Sequence, residues 1–252
     1  MIRMSAACGC HRGKVRSGNQ DNFYFRGQYL EAENDGLEKP LEYSGWERSG
    51  MLLAVFDGMG GENYGEMASY AAARTMQGFR REWFPNAQED EARLRTWVRE
   101  LNATVMAAQQ EHHTDRMGTT LVGLYLGRKH IYAWNVGDSR CYLLREGTLR
   151  QLSRDHVETL IRPGDRKAPL TQYLGLDPQE REIEPGILRE TLQRGDRYLL
   201  CSDGVTDMLG NEQIQKALAD GGSCGECVQR LIAEALEQGG KDNITAIVCE
   251  IG

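Results

Sequence analysis

Proline is scarce in this chain, at 6 of 252 residues, so a proline-rich disordered linker is not expected. No run approaches the ~20 consecutive apolar residues that a membrane-spanning helix needs. The opening segment, from Met1 through Cys8-Gly9-Cys10 to Arg12, holds no apolar stretch of signal-peptide length. Both absences predict a cytoplasmic protein that does not enter a membrane. Basic residues are in the minority: 30 Lys+Arg against 37 Asp+Glu leave a formal charge of −7. A nucleic-acid binder normally presents a basic face, so nucleic acid is not an expected partner. Cysteines number seven, an odd count without a secretion signal, which predicts reduced, buried thiols rather than a disulfide framework. Glycine is in excess, at 29 residues against a usual ~7%, and it predicts tight turns between regular elements.

The apolar pattern supplies those elements. Met51-Leu52-Leu53-Ala54-Val55-Phe56 is a continuous apolar run that stops at Asp57-Gly58, as a buried strand does. Helical spacing follows over 62–83, with Ala68, Ala71, Ala72, Thr75, Met76 and Phe79 on one face, and again over 89–111, with Leu94, Trp97, Val98, Leu101, Val105 and Ala108. Strands are predicted over 119–126, 130–136, 140–145 and 148–152. The links between them are too short for parallel crossovers, so they are read as antiparallel neighbours. A strand over 197–201, helices over 211–219 and 224–237, and a strand over 244–250 complete the chain. Blocks of strands and blocks of helices indicate an α+β fold of antiparallel sheets covered by helix pairs. No linker or repeat divides it, so residues 1–252 are read as one domain.

The acids fall at strand ends. Asp57, Asp138 and Asp203 each follow a predicted strand, while Asp21 and Asp242 precede one. Asp-Gly is also an ordinary turn dipeptide, and Asp57-Gly58 or Asp203-Gly204 taken singly is as well explained as a turn. Five such acids brought together would raise one another's pKa unless a cation compensated. Oxygen-only sites suit hard cations such as Mg2+ or Mn2+.

The motifs in order are Arg16-Ser-Gly-Asn-Gln-Asp21, Val55-Phe-Asp57-Gly58-Met-Gly-Gly61, Gly118-Thr-Thr120, Val136-Gly-Asp138-Ser-Arg140, Leu152-Ser-Arg-Asp155-His156, Leu200-Cys-Ser-Asp203-Gly204-Val-Thr-Asp207 and Lys241-Asp242-Asn243-Ile-Thr245. From about Gly13 onward this series resembles the bacterial form of the metal-dependent serine/threonine phosphatases, the type 2C protein phosphatases. The resemblance implies a four-layer α-β-β-α sandwich with a two-metal centre of Mn2+ or Mg2+ at one edge. Asp57 would bridge both ions and the Gly58 carbonyl would bind the second. Asp203 and Asp242 would hold the first, and Asp21 would support the second through water. Asp138 and Asp207 match positions that can hold a weaker third ion, and Asn243 would back the ligands. Arg16 would grip the substrate phosphate, for which a guanidinium fork is suited. The implied reaction removes phosphate from phosphoserine or phosphothreonine in proteins by direct attack of a hydroxide bridging ions ~3.5–4 Å apart. The implied partners are phosphoproteins, targets of a serine/threonine kinase, met by a monomer.

Two features depart from the family pattern. Met59 stands where some members carry a histidine able to protonate the leaving alkoxide, and a thioether cannot donate that proton. Only the 13 residues of 157–169 separate His156 from Leu170, a flap shorter than in many bacterial relatives. Other readings stand beside the main one. Cys8 and Cys10 with Cys224 and Cys227 would form a zinc site if brought together, although Cys-x-Cys spacing is atypical of one. His112 and His113 point to different sides of a helix and read as a solvated helix end. A phosphatase-like sensor or scaffold without catalysis, or a phosphatase of a sigma-factor regulatory partner, is the alternative function.

Overall fold

The computed structural model describes residues 2–47, 50–59, 64–79, 87–114, 117–127, 129–159 and 168–252, with backbone alone for 87–90. Its elements in order are β1 (Ile2–His11), β2 (Asp21–Phe25), β3 (Leu41–Glu47), β4 (Met51–Met59), α1 (Gly65–Phe79), α2 (Ala87–Glu111), β5 (Gly118–Thr119), β6 (Leu121–Leu126), β7 (His130–Val136), β8 (Arg140–Arg145) and β9 (Thr148–Gln151), then β10 (Gly186–Thr191), β11 (Arg197–Cys201), α3 (Asp203–Thr206), α4 (Asn211–Ala219), α5 (Cys224–Glu237) and β12 (Ile244–Ile251). One sheet has the order β3-β1-β12-β11-β8-β9; the other runs β10-β7-β6-β4-β2, with β5 paired to β4. The fold is α+β and built in four layers, as expected.

Side-chain alternation explains the layering. Along β12, Ile247, Cys249 and Ile251 enter the core between the sheets, while Ile244, Ala246 and Val248 join the cluster beneath α4 and α5. Along β4, Met51, Leu53 and Val55 face the inter-sheet core, and Leu52, Ala54 and Phe56 face α1 and α2. Both strands are buried on both faces, so each reads as a continuous apolar run. Ala68, Ala72, Met76 and Phe79 of α1 meet Leu94, Trp97 and Leu101 of α2 over the second sheet, and Phe79 stacks on Trp97 with ring centroids 4.6 Å apart.

Several expectations are corrected. The strand of Phe56 does not stop at Asp57-Gly58: it continues to Met59, where Gly58 and Met59 pair with Thr119 and Gly118. The strand expected over 119–126 is broken at Thr120, whose N–H turns to the Asp57 carbonyl. β7 and β8 are not antiparallel neighbours, because the link through Gly137 and Asp138 carries the chain from one sheet to the other. Gly137 makes that crossing with φ of +101°, a conformation that disfavours a side chain. β3 and β10 are edge strands that the apolar pattern did not indicate. The expected limits of the first helix at Glu62 and Trp83, the motif residues Gly60 and Gly61, Arg128, and 160–167 of the flap lie outside the described residues; at the flap's base Val157 bridges to Leu170. Among the described residues no helix is long and apolar enough to cross a membrane.

Candidate active site

The two sheets end together on one side of the sandwich, and the predicted acids meet there. Asp21 opens β2 and lies directly across from Asp57 of β4. Both occupy the strand positions that face the inter-sheet core, as shown by Phe23 and Val55 two residues along. Asp203 begins α3 immediately after β11, and Asp242 sits just before β12. Asp138 lies in the crossing between β7 and β8, and its charge acts on Asp57. Asp207 caps the end of α3, donating its N–H to the Asp203 carbonyl at 2.7 Å, and is exposed.

Backbone and hydroxyl contacts fix these acids. The Asp57 carbonyl accepts from Thr120 N–H at 2.9 Å and Thr119 Oγ1 at 3.0 Å, while Asp57 N–H donates to Thr120 Oγ1. Gly58 donates its N–H to the Gln20 carbonyl. A Cβ at Gly58 would collide with the carbonyl oxygens of Gly65 and Gln20, so close approach rather than turning requires glycine there. Gly204 is also a packing glycine, lying inside α3 against the Asn243 carbonyl. Asn243 ties down the loop before β2: its Oδ1 accepts from Gln20 N–H, and its Nδ2 donates to the carbonyls of Arg12 and Gly18. That loop carries Arg16, whose guanidinium donates to both oxygens of Asp242 at 2.8 and 2.6 Å.

Burial and mutual repulsion decide the electrostatics. Burial, then the charges of Asp203, Asp21, Asp138 and Asp242, hold the Asp57 carboxyl well above the usual range. Burial also pushes Asp21 up to about 7, with Thr245 and Ser202 opposing and Asp203 and Asp242 adding. Ser202 and Thr245 each donate a hydroxyl to Asp21 Oδ2 at 2.7 Å, leaving Oδ1 buried without a hydrogen-bond partner. The hydrogen bond to Asp242, with the charges of Asp203 and Asp57 adding, raises Arg16. An orphaned carboxylate oxygen within a cluster of mutually repelling acids, all oxygen donors, fits divalent hard cations. Among the described residues no three ligating side chains form a finished cage, and Asp242 faces the Arg16 guanidinium. A cavity of about 810 Å³ adjoins the site, with Arg16, Gln20, Asn34, Glu66 and Asn243 in its lining.

Ser202, Thr245, Thr119 and Thr120 were present in the motifs, but nothing in the sequence gave them partners. The Asp155-His156 motif proves to be a brace: Arg140 holds Asp155 at 2.6 Å, and His156 exchanges hydrogen bonds with Gly137 through its backbone N–H and Nδ1. The four cysteines considered for zinc do not meet. Cys8 and Cys10 face the inter-sheet core and Cys224 and Cys227 the cluster beneath α5, and all seven cysteines are free and buried. His112 sits against Tyr64 at the end of α2, with ring centroids 4.9 Å apart.

A family model described as protein phosphatase 2C matches residues 41–239. The serine/threonine phosphatase stp of Listeria welshimeri is 33% identical over 98% of this chain and 96% of its own length. The catalytic domain of the serine/threonine protein phosphatase PstP, solved in complex with two manganese ions, shares 31% identity and a TM-score of 0.78 over 100% of this chain and 99% of that one. PppA of Pseudomonas aeruginosa, a regulatory component of its T6SS, superimposes with a TM-score of 0.80 at 27% identity, covering 99% of this chain and 98% of that one. Arg16, Asp21 and Asp242 lie outside the family-model match yet within the reach of these full-length similarities, and the chain belongs to the protein phosphatase 2C family.

Proposed function

We infer that the chain is a metal-dependent phosphatase acting on phosphoserine and phosphothreonine in proteins that a serine/threonine kinase has modified. The observation that carries this reading is the meeting of Asp21, Asp57, Asp203 and Asp242 with Arg16 at one end of the sandwich. Residues 1–252 act in this reading as one catalytic domain that includes a short flap segment over 157–169. Two divalent cations, Mn2+ or Mg2+, would be held here, with Asp57 serving both, Asp203 and Asp242 serving one, and the Gly58 carbonyl supported by Asp21 serving the other; Asp138 and Asp207 are candidates for a weaker third. When bound, such ions make water nucleophilic near neutral pH and offset the charge of the phosphoryl group.

The protein's own groups do the positioning. Thr119 and Thr120 fix the backbone of Asp57, and Asn243 fixes the loop of Arg16. Arg16 exchanges Asp242 for two phosphate oxygens, which its planar fork matches equally well. Held there, it stabilises negative charge on the equatorial oxygens as the phosphoryl group is transferred. Met59 has no proton to give the departing alkoxide. Hydrolysis of p-nitrophenyl phosphate should therefore require Mn2+ or Mg2+, stop with EDTA, and fall by about 10³-fold or more in Asp57→Ala. Inactive protein with both metals across pH 7–9, coupled to weak metal binding by calorimetry, would instead support a non-catalytic scaffold.

A further inference from the structure

At the end of the sandwich opposite the carboxylates, the start of β1, the start of β7 and the ends of β10 and β12 enclose a cavity of about 460 Å³. Ile2, Leu192 and Ile251 supply apolar lining, Trp46 stands beside them, and Arg3, Lys129 and Arg194 complete the rim. β12 spans the sandwich from one end to the other in 8 residues, which at ~3.3 Å per residue places the cavity roughly 25 Å from Asp242.

Two properties set this end apart. Trp46 is 65% exposed, and only Val15 among the described residues is another large hydrophobic side chain left so open. Trp46 lies across from Arg3 in the pairing of β3 with β1, and exposed Trp beside Arg is the composition that dominates binding hot spots. The second property is charge. The neighbouring acids are already engaged: Glu47 by Arg26, Glu190 by Arg150, Asp196 by Arg145 and Glu250 by Arg197. Arg3, Lys129 and Arg194 are exposed and have no ion pair among the described residues. A chain of net charge −7 thus carries a cationic rim around an apolar floor.

We propose that this end is a docking surface for an acidic segment of a protein partner. The segment sets an apolar or aromatic side chain against Trp46 over Ile2, Leu192 and Ile251, and its carboxylates against Arg3, Lys129 and Arg194. Charge selects this occupant. A second copy of the same acidic chain brings net repulsion, and a basic segment meets like charge at the rim. The docked segment leaves the phosphate site open, so it tethers the phosphatase to a substrate or scaffold without blocking turnover.

The probe is a fluorescein-labelled peptide of alternating Asp and Glu around a central Leu-Phe pair, titrated into Mn2+-loaded protein by fluorescence anisotropy. A peptide with Lys in place of every acid is the control. The acidic peptide should bind saturably, weaken as salt rises, and lose about tenfold in affinity in Trp46→Ala and in the Arg3→Glu/Lys129→Glu double variant. All of these side chains are exposed, so the variants should keep the wild-type Tm and p-nitrophenyl phosphate turnover. Failure of the acidic peptide to bind overturns the proposal, as does equal binding of the Lys peptide or binding that folded variants leave unchanged. Two further results overturn it by naming another occupant. A dimer in sedimentation that Trp46→Ala dissociates assigns the face to a second copy, and pelleting with phosphatidylserine vesicles without peptide binding assigns it to a membrane.

Discussion

Asp21 is held in a way that favours its neutral form. Burial of its carboxyl, with one oxygen lacking a hydrogen-bond partner, and the charges of Asp203 and Asp242 together outweigh the two hydroxyls that Ser202 and Thr245 donate to the other oxygen. With a folded pKa pushed up to about 7 against ~3.9 in an unfolded chain, its contribution to stability is fully present below about pH 4, where both states are protonated. As pH rises, the unfolded chain ionises first and that contribution is lost, until both states are ionised above about pH 7. Asp21→Asn keeps an acceptor for Ser202 and Thr245 but cannot ionise. In EDTA, the Tm of Asp21→Asn minus that of wild type should therefore rise from pH 4 to pH 7 and level off above it. A difference that stays flat across this range would mean that Asp21 ionises in the folded protein as readily as in water. Catalysis should move the other way, because the carboxylate whose ionisation costs stability is the one proposed to support a cation.

Among the elements, β4 shows most directly how strand packing creates the site. Gly58 lets its strand run past Asp57 and lie against the backbone of the loop before β2 and the start of α1. Gly58→Ala should cost about 2–3 kcal/mol in urea unfolding, since the obstacle is two carbonyl oxygens rather than a flexible side chain. Gly78, exposed in the last turn of α1 with nothing within 4 Å of an added Cβ, is the contrast: Gly78→Ala should stabilise by a few tenths to about 1 kcal/mol through helix propensity. A loss at Gly58 no larger than at an open glycine would remove the argument from close approach. The same strand shows what the sequence could disclose. β4 and β12 were legible because burial on both faces makes a continuous apolar run, and α4 and α5 because their period is clear. β3, with the sequence LEYSGWE, lies at a sheet edge and buries too little to leave a signal; α3, with 4 residues, is too short for a period. The crossing at Gly137 and Asp138 satisfied the length rule for a hairpin, and only the strand pairing, with β7 in one sheet and β8 in the other, reveals the change of sheet. The acids were legible from their motifs, but not the hydroxyls of Ser202 and Thr245. Their role follows from sheet order, which sets the end of β11 and the start of β12 opposite the start of β2 on the other sheet.

For the whole molecule, repulsion among these acids links folding to cation binding. A ligand that binds only the folded chain adds RT ln(1 + [L]/Kd), about 2.7 kcal/mol at a hundred times Kd. A chain of this size gains ~2–4 °C in Tm per kcal/mol, so saturating Mn2+ should raise the Tm by roughly 5–10 °C at pH 7.5. Protons compete for the same oxygens. Near pH 5 the pKa of Asp21, pushed up to about 7, keeps that group largely protonated, the Asp57 carboxyl is also raised by burial and by the neighbouring acids, and a cation must displace bound protons before it binds. The Mn2+-induced shift measured by scanning calorimetry should accordingly shrink well below its neutral value at pH 5, and in Asp57→Asn it should be small at both. A shift of equal size at pH 5 and pH 7.5 would show that the stabilising cation binds away from Asp21 and Asp57, at acids that ionise normally. The expected asymmetry instead ties the stability of the four-layer sandwich near neutral pH to the cluster where its two sheets end.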